Sequence, residues 1–161
     1  MRNICFYFQI HTPFRLKRYR FFDIGQDHYY YDDFQTEDRI RYIAEQSYLT
    51  ANRTISEMIR SSNGKFKCAF SISGPAIEQL EQYAPELIDS FKEMAKTGSV
   101  EFLAEPYAYS LASVFDSDEF ERQVKQHAKK IEELFGKKPT ALVNSEMIYS
   151  DEIGDKVVKM G

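Results

Sequence analysis

The chain has 161 residues, of which 43% are hydrophobic and 15% aromatic, and its formal charge is −4 with a pI near 5.5. This length and apolar content are enough to bury one core, which excludes a disordered protein and favours a single domain. Nucleic acid would have to bind against an overall negative field, and no stretch is long and apolar enough to cross a membrane, so we expect neither partner.

The two cysteines indicate whether the protein works in a reducing or an oxidising compartment. Cys5 and Cys68 both lie in apolar runs, where the sequence predicts small buried side chains and neither a disulfide framework nor a metal site. The amino terminus also lacks the apolar segment and cleavage pattern of a secretory signal. A cytoplasmic protein in a reducing compartment is the resulting expectation.

The first predicted strand covers residues 4–10 and ends at His11. Residues 12–35 follow, a long segment without helical or strand periodicity that carries basic and aromatic side chains, and long segments of this kind are often functional. Two interpretations are open. The segment is either a surface loop held by its own aromatic residues, or a lid whose tyrosines stack on a ligand.

Helical patterns and further strands then alternate. Apolar residues between Ile40 and Ile59 recur at helical spacing, with Thr36 as the predicted N-cap and Asn63-Gly64 as the stop. The second strand, residues 67–73, leads to Gly74-Pro75, where proline suits the first turn of a helix. Pro85 divides the helical segment that follows into two.

The third strand, residues 100–104, contains an acid. Period-2 alternation places Glu101, Leu103 and Glu105 on one face. A carboxylate buried in such a run must be paired or hydrogen-bonded, so Glu101 is either the structural partner of an arginine or a ligand-binding group. Glu105 is nearer the loop, where solvation is easier, and both a hydrated turn residue and a functional one are open interpretations.

The remaining elements complete the pattern. Asp116 and Glu119 predict a capped helix that ends at Gly136, residues 140–144 predict a fourth strand, and another helix begins at Asp151. Strands that alternate with helices indicate α/β units around a parallel sheet, as in an open doubly wound sheet or part of a barrel. A complete eight-stranded barrel needs about 250 residues.

Ligands of such sheets meet the carboxyl ends of the strands. His11 and Glu146 both follow predicted strands. His11 could bind a substrate hydroxyl or tune the pKa of a nearby carboxylate. Glu146 stands where a glycosidase or lyase would place a nucleophile or base. The alternative for His11 is a polar group satisfied within the fold, and by position alone Glu146 is equally a solvated turn residue. The turn SISGPA lacks a nucleotide-binding fingerprint.

Four stretches carry a family resemblance. YFQIHTPFRL, AFSISGPAIEQLEQYAPE, GSVEFLAEPYAYSLAS and VNSEMIYSDEIG resemble the amino-terminal part of glycoside hydrolase family 57, from about residue 5 to the end. Three of the family's motif regions occur in their order. The resemblance implies a retaining enzyme that acts on α-glucans, hydrolase or glucanotransferase, with an incomplete seven-stranded (β/α) barrel.

The resemblance also implies roles for residues. Glu146 matches the family's nucleophile, and His11 and Glu101 match residues that contact the sugar. Glu105, Tyr107 and Tyr109 accompany Glu101 as further substrate-binding candidates. The family motif His-Gln-Pro stands here as His11-Thr12-Pro13, and related chains carry histidine where Tyr109 stands.

One expected group is not matched. The family's acid/base aspartate comes from a later strand, and no residue up to Gly161 matches it. Residues 1–161 are therefore expected to be the amino-terminal portion of the barrel domain, apparently truncated. An open barrel edge predicts self-association or pairing with a complementing chain.

Two alternatives belong to other classes. A catalytically silent carbohydrate-binding or regulatory protein would share the motifs without turnover. A metal-dependent deacetylase-like hydrolase would need clustered ligands, whereas His11, His28 and His127 lie far apart in the sequence. We expect no cofactor and no metal.

Overall fold

The computed structural model describes residues 4–26 and 28–161. The α/β class predicted from the sequence is confirmed, because helices alternate with the strands of a parallel sheet. The elements are β1 (Phe6–Ile10), α1 (Asp33–Ile43), α2 (Leu49–Ser61), β2 (Cys68–Ile72), α3 (Gly74–Tyr83), α4 (Pro85–Lys96), β3 (Val100–Phe102), α5 (Ala112–Phe115), α6 (Ser117–Phe135) and α7 (Asp151–Met160).

The sheet has the order β1-β2-β3 with all strands parallel. Its register aligns Tyr7 with Ala69 and Ala69 with Glu101. The fourth predicted strand, residues 140–144, is shorter than expected, and among the described residues it is paired only through a parallel bridge between Ala104 and Leu142. Two hydrogen bonds flank that bridge, as Ala104 N donates to the Ala141 carbonyl and Val143 N to the Ala104 carbonyl, each at 2.9 Å.

The two faces of the sheet differ in chemistry. One face lies under the helices, where the Phe70 ring packs edge-on against Phe91 of α4 and the Phe102 ring stacks on Phe135 of α6 at 3.9 Å. The other, which we call the polar face, carries Tyr7 and Ser71, whose hydroxyls hydrogen-bond at 2.7 Å. Alternation along the strands thus separates the packed core from a surface that can meet a polar ligand.

Helix α1 begins earlier than the sequence predicted. Asp32, and not Thr36, is the N-cap, since its side chain accepts a hydrogen bond from Gln35 N at 2.9 Å. Thr36 is instead buried within the first turn, where its hydroxyl donates to the Asp32 carbonyl and accepts from Arg15 N. Both residue types cap helices well, so residue type alone did not distinguish them.

A π-helical turn, Ala44–Tyr48, joins α1 to α2. The buried residues of this helical pair are Thr36, Ile40, Ala44, Asn52, Ile55 and Ile59. They therefore lie on both sides of the wider turn and still face one core. Asn52, the polar exception in α2, reaches Ser90 of α4 with its Nδ2 at 3.2 Å.

The long segment after β1 folds into an arm, which we define as residues 14–26 and 28–32. Leu16 and Tyr31 form an antiparallel bridge, and Lys17 N donates to the Tyr30 carbonyl at 2.8 Å. Tyr19 packs on Tyr30 and Phe14 on Tyr31. The contacts favour the interpretation that the segment is held by its own aromatic residues.

The structure also tests the predictions for the two cysteines and for membrane-spanning segments. Cys68 is buried as predicted, but the prediction that Cys5 is buried is wrong, since Cys5 lies before β1 and is exposed; both thiols are free. Within residues 4–26 and 28–161, no helix combines the length and apolar character needed to cross a membrane.

Candidate active site

His11 lies at the carboxyl end of β1 and is partly buried. Its Nδ1 lies 2.8 Å from the hydroxyl of Ser73, which follows β2. Burial lowers the pKa of the imidazole, while the nearby Glu146 carboxylate acts in the opposite direction. The imidazole is thus hydrogen-bonded to Ser73 at the end of β2 and lies near the negative charge of Glu146.

Tyr109 connects His11 to Glu146. Its ring stacks on His11 with centroids 4.3 Å apart, and its hydroxyl accepts hydrogen bonds from Gln9 Nε2 at 2.7 Å and from Glu146 N at 3.3 Å. The backbone of Tyr109 has φ of 54°, a left-handed conformation that is rare outside glycine. This unusual conformation places the ring over the imidazole.

Glu146 lies in a tight turn beyond the bridged residue Leu142. Glu146 has φ of 54° and ψ of 18°, and Met147 also has positive φ, at 55°. Asn144 braces the turn, since its Nδ2 donates to Ser113 Oγ at 2.8 Å and to the Ile148 carbonyl at 2.9 Å. The Glu146 side chain is exposed on this braced, strained turn, and strain of this kind concentrates at functional sites.

Glu105 is buried, with 1% of its surface exposed, so the expectation that it is easily solvated is wrong. Burial raises the pKa of its carboxyl to about 8, although a hydrogen bond with the Ser71 hydroxyl acts against the rise. Within the described part of the chain, its Oε1 has no hydrogen-bond partner. The backbone amide of Glu105 donates to His127 Nδ1 at 3.2 Å.

Glu101 has the opposite environment. Its side chain is exposed, so the expectation of a buried acid inside the run is wrong, and its Oε1 accepts a hydrogen bond from Thr140 Oγ1 at 2.5 Å. It lies near the start of β3, four residues before Glu105 and about 13 Å away along an extended chain. The structure therefore does not bring Glu101 to the cluster formed by His11, Tyr109 and Glu146.

Tyr107 faces α3. Its hydroxyl donates to Glu78 Oε1 at 2.5 Å, and a Cβ added at Gly74 would lie 2.4 Å from its ring. Burial, followed by the adjacent Glu78, raises the pKa of the phenol above its ordinary value. Glycine at position 74 is thus required by the close approach of Tyr107.

The cluster of His11, Tyr109 and Glu146 can bind and attack a neutral polar ligand. It offers an exposed carboxylate, a partly buried imidazole and a phenol at the carboxyl edge of a parallel sheet. The family model described as Glycosyl hydrolase family 57 matches residues 5–161. The chain belongs to glycosyl hydrolase family 57.

Sequence similarity to one named protein covers almost the whole chain. A Methanocaldococcus jannaschii protein named "Putative alpha-amylase" is 34% identical over 162 residues, which are 97% of this chain and 33% of the relative. The chain therefore spans about a third of the length of that relative. The match does not include the remaining two thirds of the relative.

Solved structures show the same fold. The 4-alpha-glucanotransferase of Thermococcus litoralis superposes with a TM-score of 0.73 at 15% identity, over 98% of this chain and 21% of that one. An alpha-amylase of Thermotoga maritima gives 0.62 at 12% identity, over 99% and 38%. The predicted fold, βα units of the first part of an incomplete seven-stranded barrel, is confirmed.

Within this family 57 fold, sequence reasoning missed several residues of the site. Ser73 and Tyr7 hold other polar groups through their hydroxyls, and His127 was considered only as a metal ligand. In the described residues, no three His, Cys, Asp or Glu side chains group in a way that could hold a metal ion. The missed signal for His127 was its place on a buried helix stripe between Val124 and Ile131.

Proposed function

We propose that this family 57 chain forms the amino-terminal portion of the catalytic barrel domain of a retaining enzyme that acts on α-glucans, as a hydrolase or a glucanotransferase. The family match and the names of its relatives support the class of substrate. The observation that carries the assignment of the site is the contact chain from His11 through Tyr109 to the backbone of Glu146.

Glu146 is the nucleophile in this proposal. Its carboxylate is exposed at a strand end, where it can reach an anomeric carbon, and its turn is braced by Asn144. A retaining mechanism begins with attack by such a carboxylate, which forms a glycosyl ester that water or another sugar later cleaves. Bracing reduces the freedom that the attacking group would lose on reaching the transition state.

His11 and Tyr109 are the proposed sugar contacts. A partly buried imidazole can exchange hydrogen bonds with a sugar hydroxyl, and its contact with Ser73 fixes the ring for that purpose. Glu101 would contact sugar only where the substrate extends along the polar face toward the start of β3. Glu105 is buried and the Tyr107 hydroxyl donates to Glu78, so both residues support the site from within the protein.

The second carboxyl group is assigned to no residue of this chain. Retaining glycosidases place a general acid and base about 5–5.5 Å from the nucleophile. The proposal takes this group from the part of the family domain that the chain does not match. An experiment on Glu146 should therefore use a substrate whose leaving group needs no proton.

A 5-fluoro-α-maltosyl fluoride meets this requirement. The C1–F bond breaks, fluoride leaves with the bonding electrons, and a Glu146 carboxylate oxygen forms the new bond to C1, while the 5-fluoro group slows the second step. We expect mass spectrometry of the treated 161-residue chain to find one maltosyl adduct on the peptide that contains Glu146.

Glu146→Gln should abolish the adduct, and Glu57→Gln, an exposed acid on α2, should keep it. An adduct on another carboxylate would overturn the assignment. A chain that binds maltooligosaccharides without forming any adduct would instead be the silent carbohydrate-binding alternative.

A further inference from the structure

His127 is a buried histidine on α6 whose two ring nitrogens both contact backbone groups. Its Nδ1 accepts the hydrogen bond of the Glu105 amide at 3.2 Å, and its Nε2 lies 2.8 Å from the Ile72 carbonyl. An amide can only donate and a carbonyl can only accept. Both contacts are therefore satisfied by one form alone, the neutral imidazole with its proton on Nε2.

These two backbone groups belong to the strand ends that carry the site. Ile72 is the last residue of β2 and precedes Ser73, whose hydroxyl holds His11. Glu105 directly follows the bridged residue Ala104 and leads into the loop that carries Tyr109. One imidazole thus ties together the two segments that place His11 and Tyr109 in contact.

We propose that His127 is a positioning residue of the site. As a neutral imidazole it fixes the separation of the strand ends at Ile72 and Glu105, and through them the stacking of Tyr109 on His11. The consequence for sugar chemistry rests on the proposed function, whereas the positioning itself can be measured without any substrate.

Helix α6 gives His127 a rigid base. Val124 and Ile131, three residues before and four after His127, are buried with it on one stripe of the helix. The helix is capped by Asp116, which accepts from the amides of Asp118 and Glu119. The imidazole is therefore held by packing as well as by its hydrogen bonds.

The same geometry leaves Glu105 without an ion-pair partner in His127. Its Oε1 lies 3.8 Å from His127 Nε2, but an ion pair would require a second proton on Nδ1, whose lone pair already accepts from the Glu105 amide. Burial without an ionic partner favours the neutral acid form of Glu105. Burial favours the neutral form of both groups, so it lowers the pKa of His127 to about 4 and raises the pKa of Glu105 to about 8.

The hydroxyl-bearing side chains around the pair are neutral at physiological pH. Tyr7 of β1 hydrogen-bonds Ser71 of β2, and the Ser71 hydroxyl contacts the Glu105 carboxyl. The Tyr107 ring lies 6.4 Å from His127, edge to face. Burial raises the pKa of Tyr7 and, more strongly, that of Tyr107, so both phenols keep their protons.

Nitrogen NMR of the ¹⁵N-histidine-labelled 161-residue chain tests the proposal directly. We expect His127 to show one protonated and one unprotonated ring nitrogen, with the proton on Nε2, and no titration between about pH 5 and 8. A His127 imidazolium near neutral pH, or a proton on Nδ1, would overturn the proposal. This measurement needs neither substrate nor a variant.

Variants test the positioning. His127→Gln retains an acceptor and a donor on one planar group, whereas His127→Leu removes both, and Gln126→Leu on the exposed side of α6 is the matched control. We expect the His11 resonances to shift in the His127→Leu variant and to return toward wild type in the His127→Gln variant. Unchanged His11 resonances in a folded His127→Leu protein would contradict the positioning role.

The covalent labelling of Glu146 gives a second readout. His127→Leu should slow adduct formation at least about tenfold, with partial recovery in His127→Gln, because small displacements of reacting groups are costly. If the wild-type chain forms no adduct, the proposed function fails while the NMR result still decides the role of His127. The two failures are therefore distinguishable.

Discussion

The Tyr109 ring lies face to face with the His11 ring, with 4.3 Å between centroids and 22° between planes. The hydroxyl of the same tyrosine accepts the backbone N–H of Glu146. A single side chain therefore connects the loop after β1 with the turn that follows the fourth extended segment. This link makes the ring and the hydroxyl of Tyr109 separately testable.

Tyr109→Phe should retain the stacking and lose the hydroxyl. We expect a loss of about 1 kcal/mol in the free energy of unfolding, because Gln9 Nε2 and Glu146 N lose their acceptor. Adduct formation at Glu146 should slow, and Tyr109→Leu, which also removes the stacked ring, should slow it further. Labelling of the Tyr109→Phe variant at the wild-type rate would show that the hydroxyl does not hold the turn.

Met147→Gly should relieve strain in the Glu146 turn. Met147 has φ of 55° and is 65% exposed, so glycine removes an unfavourable left-handed conformation at little cost in burial. We expect urea unfolding to show a gain of about 0.5 to 1 kcal/mol and labelling of Glu146 to slow as the turn loosens. Met147→Ala keeps a Cβ and should bring no gain in stability; equal gains in both would contradict the explanation.

Gly74→Ala should destabilise the protein, because the added Cβ would lie 2.4 Å from the Tyr107 ring. Overpacking of this kind costs about 1–3 kcal/mol, measured by urea unfolding. In a Tyr107→Ala background the penalty should largely disappear.

Gly154→Ala is the matched control for Gly74→Ala. Its Cβ would approach the exposed Tyr149, whose hydroxyl end can move aside into solvent, and alanine favours the helical conformation of α7 by up to about 1 kcal/mol. A similar loss of stability in both variants would mean that Tyr107 is not the cause.

The sequence predicted the location of the site better than the environment of its acids. Strand ends in a parallel sheet meet at one edge, which was enough to place His11 and Glu146 together. Alternation correctly put Glu101 and Glu105 on one face, yet it does not report depth. Glu105 is buried because α6 brings His127 against it, and such a contact depends on tertiary packing.

Other differences have the same origin. Asp32 and Thr36 are both good N-caps, and the chain's path from the arm decided between them. The arm itself lacked periodicity because its pairing is limited to a few residues around Leu16 and Tyr31. The positive φ of Tyr109 had no signal in the sequence, since neither residue type nor spacing indicates that conformation.

Glu105 and His127 predict a dependence of stability on pH. The folded-state pKa of Glu105, about 8, is above its ordinary value of 4.5, so its contribution is complete below pH 4.5 and is lost as pH rises to 8. The folded-state pKa of His127, about 4, is below 6.5, so its contribution is complete above pH 6.5 and is lost as pH falls to 4. The two slopes oppose each other between pH 4.5 and 6.5.

Between pH 6.5 and 8 only the Glu105 slope remains. We expect the free energy of unfolding, measured in urea, to fall by about 1 to 2 kcal/mol over this interval. Glu105→Gln should flatten the profile, and Glu132→Gln on the exposed side of α6 should leave it unchanged. An equally steep fall in the Glu105→Gln variant would assign the effect to another group.

The π-helical turn between α1 and α2 determines which side of α2 faces the core. An α-helix advances about 100° per residue, so the extra residue in a wider turn rotates everything after it relative to everything before it. Deleting one residue from Ala44–Tyr48 would swing Ile55 and Ile59 away from the side that Ile40 faces. The extra residue of the π-helical turn thus sets the rotation of α2 about its axis relative to α1. In a shortened variant, the buried residues of α1 and those of α2 would face different directions, and one of the two sets would be exposed to water.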